Sequence, residues 1–598
     1  MANCPGIGYR SAMEMTPFAE HIWRTKYRYS RGTTVSDKDI SDTWRRVAGA
    51  VAEIENERDH WQRAFFDILA DYRFLPGGRI LAGAGTTKRV TLFNCFVMGP
   101  IPDSIESIFD SLKETALTMQ QGGGIGCDFS TLRPAGSRAV ASGEIASGPV
   151  SFMHIWDTLC RILLSTSARR GAMMATLRCD HPDIGAFIDA KSEERALNNF
   201  NLSVLVSDDF MTAVADDADW TLKFPCPATT TDNQVPVEAR QELPAKEIWE
   251  RLVRAAHRTA EPGVLFIDTI NRDNNLYYCE KISATNPCGE IPLPPYGACD
   301  LGSVNLTAFV RRPFTGEAHL DEYLLAETVG IAVRFLDNVI DISHFPLQRQ
   351  LDQARTTRRI GLGITGLADT LAMLGLHYDS EAGRGVAVRT MRLIRDTAYA
   401  ASIGLAKEKG AFPLLDTKRY LQAPFIRRLP DSLKAGIVDN GIRNSHLLAI
   451  APTGTISLLA GNISSGIEPI YALAVEREVR GDGPEPTPFE IADYAYALWL
   501  DGGREQTDLP DCFVTSEALP PRAHLDMQSC LQPFVDNAIS KTVNLPERAT
   551  TDDVADVFAR AHAMGIKGCT VFRPGALRGQ VLRAREESHC CDVDREAD

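Results

Sequence analysis

One stretch decides what the sequence predicts about fold and chemistry: Asn286-Pro287-Cys288-Gly289-Glu290. Proline favours an extended backbone at the residue before it, and side chains alternate between the two faces of an extended segment. We therefore expect Asn286, Cys288 and Glu290 on one face, with Gly289 allowing the backbone to approach a ligand closely. An amide, a thiol and a carboxylate on one face supply a hydrogen-bond anchor, a one-electron or nucleophilic centre and a proton acceptor. The alternative is a turn before a strand that contains an incidental buried cysteine.

Two more cysteines accompany this stretch. Cys299 lies in Tyr296-Gly-Ala-Cys-Asp-Leu-Gly-Ser-Val-Asn305, and Cys95 lies in Leu92-Phe-Asn-Cys-Phe-Val97. Three further motifs are Gln121-Gly-Gly-Gly-Ile-Gly126, Ala168-Arg-Arg-Gly-Ala-Met-Met-Ala175 and Ala451-Pro-Thr-Gly-Thr-Ile-Ser457. In this order, and over roughly residues 70 to 573, the motifs resemble the large catalytic subunits of ribonucleotide reductases.

The resemblance implies a fold: a ten-stranded α/β barrel with Cys288 at the tip of a central finger loop, preceded by a helical N-terminal region. The residues favour the α/β class independently, because short apolar runs alternate with helical stretches. The strand candidates are Val90–Met98, Phe200–Val206 and Leu447–Ala451, and the helix candidates are Ser104–Met119, Ala382–Lys409 and Phe489–Leu500. Trp44, Val47, Val51 and Ile54 recur at helical spacing near the N-terminus. We expect a helical region over residues 1–70, the barrel over 71–573 and a flexible tail over 574–598.

The resemblance also implies a reaction, the reduction of ribonucleotides to 2′-deoxyribonucleotides. Cys288 would become a thiyl radical that abstracts the ribose 3′-hydrogen, Glu290 would accept the 3′-hydroxyl proton, and Asn286 would hold the sugar oxygens. Cys95 and Cys299 would supply the reducing equivalents as the 2′-hydroxyl leaves as water, and would end as a disulfide.

Nucleotide-binding residues are implied in the same way. The resemblance makes Pro452, Thr453, Gly454, Thr455 and Ile456 the cradle of the substrate phosphate, since hydroxyl and amide groups at a helix start suit an anion. A plain helix cap is the alternative. The family positions near the substrate are Asn94 and Gly124. The positions that match contacts to deoxynucleotide specificity effectors are Asp103, Arg133 and Arg170, for which solvated surface charge is the alternative.

The radical source follows partly by elimination within the family. The oxygen-dependent class relays an electron through adjacent tyrosines near the end of the large subunit, whereas the last tyrosine here is Tyr496. Neither a glycine-radical motif nor a cysteine cluster for zinc is visible near the C-terminus. The adenosylcobalamin-dependent class remains, and the segment from Arg169 to Asp183 resembles that class. We therefore expect adenosylcobalamin as cofactor, cobalt carried by the cobalamin rather than by protein ligands, and no second radical subunit.

The sequence gives less detail on the reductant, the oligomeric state and the number of phosphates on the substrate. Cys590 and Cys591 lie in the tail, where family members carry a redox pair, so we expect a thioredoxin- or glutaredoxin-like reductant; an incidental or intermolecular role is the alternative. The chain resembles the dimeric members that use diphosphates, and we expect a homodimer. Since Cys95 comes early, we expect no additional activity-regulating domain and weak inhibition by dATP.

Composition excludes several other classes. A net charge of −15 disfavours binding to a nucleic acid polymer. No apolar run is long enough to span a membrane, and no secretory signal opens the chain, so we expect a cytoplasmic protein.

Gly361-Leu-Gly-Ile-Thr-Gly366 matches a dinucleotide-binding pattern, but the residues before it do not form a buried strand. We interpret these glycines as close helix packing; an NAD-type dehydrogenase and a non-catalytic nucleotide-binding regulator are the alternative functions.

Overall fold

The computed structural model describes residues 15–31, 34–137, 146–164, 172–192, 196–225, 238–479 and 487–576. The chain is a mixed α/β protein with a helical N-terminal region and one large sheet of ten strands. These are β1 (Phe74–Pro76), β2 (Cys95–Val97), β3 (Gly124–Asp128), β4 (Met173–Arg178), β5 (Phe200–Val206), β6 (Gly263–Phe266), β7 (Ala298–Asn305), β8 (Ile360–Thr365), β9 (Thr542–Asn544) and β10 (Gly568–Phe572).

Helices surround the sheet. They are α1 (Pro17–Ile22), α2 (Ile40–Val51), α3 (Arg58–Ala70), α4 (Gly78–Gly83), α5 (Ile105–Gln120), α6 (Pro149–Leu164), α7 (Ile184–Ile188), α8 (Asp208–Ala215), α9 (Ala245–Thr259), α10 (Ile267–Arg272), α11 (Glu322–Ile342), α12 (Gln348–Thr357), α13 (Leu367–Met373), α14 (Glu381–Lys409), α15 (Thr417–Tyr420), α16 (Pro424–Arg427), α17 (Asp431–Asn440), α18 (Gly454–Leu459), α19 (Tyr494–Asp501), α20 (Pro521–Leu531) and α21 (Thr551–Ala563). No helix in the described ranges is both long and apolar enough to cross a membrane.

The sheet consists of two groups of parallel strands that run in opposite directions. One group is β2 to β6, and the other is β7, β8, β9 and β10. The order of the sheet is β8-β7-β2-β3-β4-β5-β6-β10-β9, and β1 adds to β7. Strands β2 to β6 are parallel, as are the pairs β7/β8 and β9/β10, whereas β2/β7 and β6/β10 are antiparallel. Parallel bridges join Leu362 of β8 to Leu448, and Ile450 to Ile539 just before β9. The segment 447–450 therefore lies between the two ends of the sheet.

Smaller antiparallel hairpins decorate this frame. They pair Ser30–Arg31 with Thr34–Val35, Asp219–Pro225 with Glu238–Pro244, Ala284–Thr285 with Pro292–Leu293, Val310–Arg311 with His319–Leu320, and Ala474–Val479 with Thr487–Ala492. The third of these hairpins carries Asn286-Pro287-Cys288-Gly289-Glu290 between its two arms.

Most of the regular elements expected from the sequence are present. Phe200–Val206 is a strand with the expected bounds, and helices α5 and α14 lie within one residue of the expected ones. Of the N-terminal pattern, Trp44, Val47 and Val51 are buried on α2. Ile54 lies beyond that helix in a 3₁₀ turn and is 41% exposed, so it does not extend the buried face.

Three expectations about local structure are right only in part. Only Cys95–Val97 of the expected strand Val90–Met98 pairs as a strand, because hydroxyl groups of Ser343 and Thr91 accept the N–H groups of Leu92 and Phe93. Leu447–Ala451 pairs with its neighbours through two isolated parallel bridges rather than a continuous ladder. Phe489 does not begin a helix: its segment is a strand to Ala492, and Asp493 then caps α19 by accepting the Tyr496 N–H.

The glycines from Gly361 to Gly366 do not serve helix packing. Gly361 and Gly363 lie within β8, where a Cβ on Gly363 would lie 2.4 Å from the Ala449 carbonyl oxygen. Glycine therefore permits the close approach of segment 447–450 to β8. The motif is a sheet strand rather than the turn of a dinucleotide-binding unit, which disfavours the dehydrogenase alternative.

Candidate active site

The loop 286–291 connects the two arms of the hairpin Ala284–Thr285 and Pro292–Leu293. The expected extended segment Asn286–Glu290 is wrong, because the chain turns here and the Gly289 N–H donates to the Asn286 carbonyl at 3.2 Å. We call these residues, 284–293, the finger. The finger packs against β2, β3 and β4. Gly126 of β3 makes this possible, since a Cβ there would lie 1.9 Å from the Thr285 carbonyl oxygen. Gly289 has φ +84°, a conformation that favours glycine, and nothing within 4 Å of its Cβ position.

Hydrogen bonds hold the finger from both parallel groups of strands. Asn201 Nδ2 on β5 donates to the Pro287 carbonyl at 2.9 Å. On the other side, the Ala538 N–H before β9 donates to the Glu290 carbonyl, also at 2.9 Å. The tip of the finger is thus fixed relative to both halves of the sheet.

Cys95 and Cys299 lie directly opposite each other on the antiparallel strands β2 and β7. Both are buried, at 5% and 0% exposure, and neither is in a disulfide. They share a small apolar cluster with Ala284, Ile291 and Leu293 of the finger. Opposite residues of an antiparallel pair point to the same face, so both thiols face the finger.

Two finger side chains contact the Cys95 thiol. Asn286 Nδ2 donates to Cys95 Sγ at 3.2 Å, and Cys95 Sγ donates to Glu290 Oε1 at 3.9 Å. The Ile291 N–H fixes the amide by donating to Asn286 Oδ1 at 3.0 Å. Glu290 Oε2 is buried and has no hydrogen-bond partner among the described residues. That oxygen is therefore available to a ligand.

Burial controls protonation in this site. It raises the pKa of Glu290 to about 7, although hydrogen bonds from Asn286 and Cys95 favour the carboxylate. Burial also raises the pKa of the Cys95 thiol well above its ordinary value, and the charges of Glu290, Cys288 and Cys299 add to this effect. The contributions of both other sulfurs place the three cysteines in one locality. Glu290 can thus exchange a proton near neutral pH, whereas Cys95 stays a thiol.

Asn94 and Gly124 lie beside the finger. Both amide atoms of Asn94 are buried and lack hydrogen-bond partners in the described part of the chain. Its carbonyl accepts the Gly124 N–H at 2.8 Å, and the Cβ position of Gly124 lies 3.3 Å from Pro287 Cγ. Since buried amides are normally paired, Asn94 is suited to a ligand that supplies a donor and an acceptor.

The turn at Pro452–Ile456 leads into a helix start, as the sequence predicts. Thr453 has φ +56° and precedes α18. Its hydroxyl lies 2.9 Å from Thr365 Oγ1 and accepts the Gly466 N–H at 2.8 Å, and the Thr455 side chain is also buried. The Thr453 hydroxyl therefore holds the loop together. Backbone N–H groups are the better candidates for contact with a phosphate.

Asp103 and Arg133 form one ion pair just before α5. Arg133 Nε donates to Asp103 Oδ2 at 2.6 Å, and the Arg133 N–H donates to Asp103 Oδ1 at 3.2 Å. Their side chains are about one-quarter exposed, at 25% and 28%. Arg170, Cys590 and Cys591 lie outside the described residues.

The comparisons with known proteins agree with this geometry. A family model described as "Ribonucleotide reductase, barrel domain" matches residues 93–572, and one described as "Ribonucleotide reductase, all-alpha domain" matches residues 13–89. The chain belongs to the ribonucleotide reductase family.

Several relatives in this family are named for a cofactor. The "Vitamin B12-dependent ribonucleoside-diphosphate reductase" of Mycobacterium tuberculosis is 38% identical over 96% of this chain and 82% of its own length. That of Thermoplasma acidophilum is 36% identical over 96% of this chain and 72% of its own length. The "Vitamin B12-dependent ribonucleotide reductase" of Streptomyces coelicolor is 30% identical over 84% of this chain and 58% of its own length.

Sequence reasoning missed the residues that hold the finger of this reductase. Asn201 looks like any polar residue within a strand, and Ala538 acts through its backbone alone. Gly126 carried a signal, because it lies in one of the motifs on which the family resemblance rests. The neighbour it admits is the finger itself rather than a nucleotide.

Proposed function

We propose that this chain reduces ribonucleotides, in the diphosphate form, to 2′-deoxyribonucleotides and so supplies DNA precursors, with adenosylcobalamin as its radical source. One observation carries the chemistry: the finger brings Asn286, Cys288 and Glu290 to the facing pair Cys95 and Cys299. The names of two relatives that each match 96% of the chain support the cofactor and the diphosphate substrate.

The residues present fit such a radical source. Of the three cysteines, Cys95 and Cys299 are buried, whereas Cys288 at the tip of the finger is only partly buried. Cys288 is therefore the thiol that a second molecule can approach. When bound, adenosylcobalamin supplies an unpaired electron through homolysis of its cobalt–carbon bond.

The side chains then divide the reaction. The Cys288 sulfur removes the 3′-hydrogen of the ribose and returns it at the end, while Glu290 accepts the 3′-hydroxyl proton. Cys95 and Cys299 together give two electrons and two protons, the 2′-hydroxyl leaves as water, and a bond forms between their sulfurs. Asn286 holds the sugar oxygens, and Asn94 and Gly124 contact the nucleotide. The turn 452–456 binds its phosphate through backbone N–H groups.

The sheet supports the finer fold assignment. Adding segment 447–450 between β8 and β9 gives a closed circuit of ten strands, β2-β3-β4-β5-β6-β10-β9-447–450-β8-β7, with β1 outside it. We infer that this circuit is the ten-stranded barrel and that the finger lies within it. The domain limits near residues 70 and 573 belong to the same proposal.

A homodimer regulated by deoxynucleotides fits the surface of α5 and α6. These helices pack together and expose large apolar side chains, among them Ile105 at 63%, Phe109 at 51% and Ile155 at 36%. Apolar side chains clustered in this way suit a protein interface. The Asp103–Arg133 pair precedes α5, so an effector bound there would lie beside the second copy. Arg170 completes the proposed effector contacts.

The reductant acts through the C-terminal tail. In this proposal the Cys590–Cys591 pair receives electrons from a thioredoxin- or glutaredoxin-like protein.

An assay of CDP reduction with dithiothreitol tests the proposal. We expect dCDP only when adenosylcobalamin is added, without a second protein. Cys288→Ser should abolish the product while nucleotide binding persists, and Cys530→Ser, a cysteine elsewhere on α20, should keep it. Turnover without cobalamin, or an obligatory second subunit, would overturn the assignment.

A further inference from the structure

A cationic side chain completes a row across three neighbouring strands. Cys95 on β2 faces Cys299 on β7, and Asp300 of β7 pairs with Ile360 of the parallel strand β8. Cys299 and Arg359 each come one residue before this pair on parallel strands, so they too lie side by side across the two strands. Arg359 is 2% exposed. Lateral neighbours point to the same face of a sheet, so the guanidinium lies on the same face as the dithiol.

The contacts of Arg359 confirm this placement and leave one donor unused. Its Nη1 donates to the carbonyl of Pro292 in the finger at 3.1 Å, and its Nη2 pairs with the Glu280 carboxylate. Its Nε is buried and has no hydrogen-bond partner among the described residues. A buried N–H without an acceptor is rare. A negatively charged sulfur at Cys299 would provide one.

The two cysteines therefore have different electrostatic surroundings. Burial raises the pKa of both thiols, and nearby carboxylates add to the rise. At Cys95 the Glu290 carboxylate is the strongest charged contribution and lies 3.9 Å away.

At Cys299 the adjoining Asp300 is the strongest charged contribution and raises the pKa further, whereas the Arg359 guanidinium lowers it. Burial raises the pKa of Asp300 itself well above its ordinary value, and neither of its carboxyl oxygens has a hydrogen-bond partner among the described residues, so the uncharged acid is favoured there. Asn286 donates a neutral hydrogen bond to Cys95, but of the two sulfurs only Cys299 lies near a cation, so negative charge is better accommodated on Cys299.

We propose that Arg359 is a positioning residue for the re-reduction of the Cys95–Cys299 disulfide, directing an incoming thiolate to Cys95 and stabilising Cys299 as the leaving thiolate. This inference rests on the proposed function, because it presupposes that the two cysteines form a disulfide during turnover. It adds the direction in which that disulfide opens.

The chemistry of exchange supports this direction. In the transition state the three sulfurs lie in line, and negative charge accumulates on the attacking and leaving sulfurs rather than on the central one. The sulfur that contacts the Glu290 carboxylate is best placed at the centre, and the sulfur near the Arg359 guanidinium at the end. Cys95 is the former and Cys299 the latter.

The reaction balances with an external dithiol as reductant. One thiolate of the dithiol bonds to Cys95 Sγ, the Cys95–Cys299 bond breaks, and its electron pair stays on Cys299 as a thiolate. The second thiolate of the reductant then attacks the reductant sulfur that is bonded to Cys95, and Cys95 is released as a thiolate. Each released thiolate takes up a proton, and the dithiol leaves as a disulfide.

Trapping the mixed disulfide tests the direction. The full-length protein is oxidised with diamide, treated briefly with 2-mercaptoethanol and quenched in acid, and the adduct is mapped by mass spectrometry. We expect adduct on Cys95 in excess over Cys299 by on the order of tenfold. Predominant adduct on Cys299, or an equal mixture, would overturn the inference. Failure of the two cysteines to join would instead contradict the proposed function.

A double variant separates this role from simple anchoring of the finger. Arg359→Met with Glu280→Gln removes the ion pair without leaving a buried charge unpaired. We expect it to lose most of the preference for Cys95 and to slow dithiothreitol-driven turnover more than the single turnover of pre-reduced protein. Arg359→Lys should restore part of the preference.

The matched control is Arg334→Met with Glu55→Gln, which removes a buried pair outside the site and should keep the preference. Equal slowing of single and multiple turnover, with the preference intact, would leave Arg359 as an anchor only and refute the proposal.

Discussion

Replacing Glu290 with glutamine should abolish turnover and yet stabilise the protein. Glu290 is 1% exposed, one of its carboxylate oxygens has no partner among the described residues, and burial raises its pKa from 4.5 to about 7. A carboxyl group held this way costs folding free energy whenever it is ionised. The same carboxylate is the base of the proposed mechanism, which accounts for keeping this cost.

The magnitude follows from the pKa values. Between pH 4.5 and 7 the folded state binds more protons at Glu290 than the unfolded state, so the free energy of unfolding falls as the pH rises through this range. At 1.36 kcal/mol per pH unit, the ionised carboxylate costs about 3 kcal/mol above pH 8 and about 1 kcal/mol near pH 5.5. Glutamine carries no charge and avoids both costs.

Urea unfolding of the wild-type protein and Glu290→Gln at pH 5.5 and 8.5 measures this difference. We expect the variant to gain about 2 kcal/mol more at pH 8.5 than at pH 5.5. Glu280→Gln is the matched control, because the Glu280 side chain is also buried but pairs with Arg359, and its loss should destabilise. In the wild-type protein, the single-turnover rate should fall tenfold per pH unit below about 7. A variant that is less stable at pH 8.5, or a rate that stays flat down to pH 5, would refute the reasoning.

Three further predictions concern the finger, the surface and the tail. Gly126→Ala should displace the finger and cost about 1–3 kcal/mol of stability together with CDP reduction, whereas Gly330→Ala on α11, where nothing lies within 4 Å, should leave both intact. Phe109→Ser should convert dimer to monomer in analytical ultracentrifugation, and Val438→Ser on α17, where the side chain is more exposed still, should not. Cys590→Ser with Cys591→Ser should abolish thioredoxin-driven turnover and spare dithiothreitol-driven turnover; loss or retention of both activities would contradict a shuttle.

Local pattern predicted which side chains lie together in the finger but neither the backbone that brings them together nor their surroundings. Alternation along an extended segment predicted a shared face for Asn286, Cys288 and Glu290, whereas residues 286–289 form a turn, and this turn brings the Asn286 and Glu290 side chains to one sulfur. That sulfur belongs to Cys95, which is far away in the sequence. Strand register decides this contact, and no local pattern encodes register between distant strands.

The fold shows the same division. Amphipathic spacing and capping residues specified α2, α5 and α14, since helices depend on contacts within one segment. Strands depend on partners. The apolar run before Cys95 pairs over only three residues because side-chain hydroxyls take its earlier N–H groups, and segment 447–450 lies in the sheet through isolated bridges. The glycines of β8 were misinterpreted because their neighbour, segment 447–450, cannot be identified from the sequence.

The sheet topology explains why the dithiol lies where it does. A disulfide that forms and opens in every cycle needs two cysteines directly opposite each other, with Cα atoms about 4.4–6.8 Å apart in both states. Antiparallel neighbours provide directly opposite residues about 4.5–5.5 Å apart, whereas parallel strands offset their partners. A sheet of two parallel groups has few antiparallel junctions, and Cys95 and Cys299 lie at one of them, β2/β7. The finger is anchored to both groups, so Cys288 stays in register with that junction throughout the proposed reaction cycle.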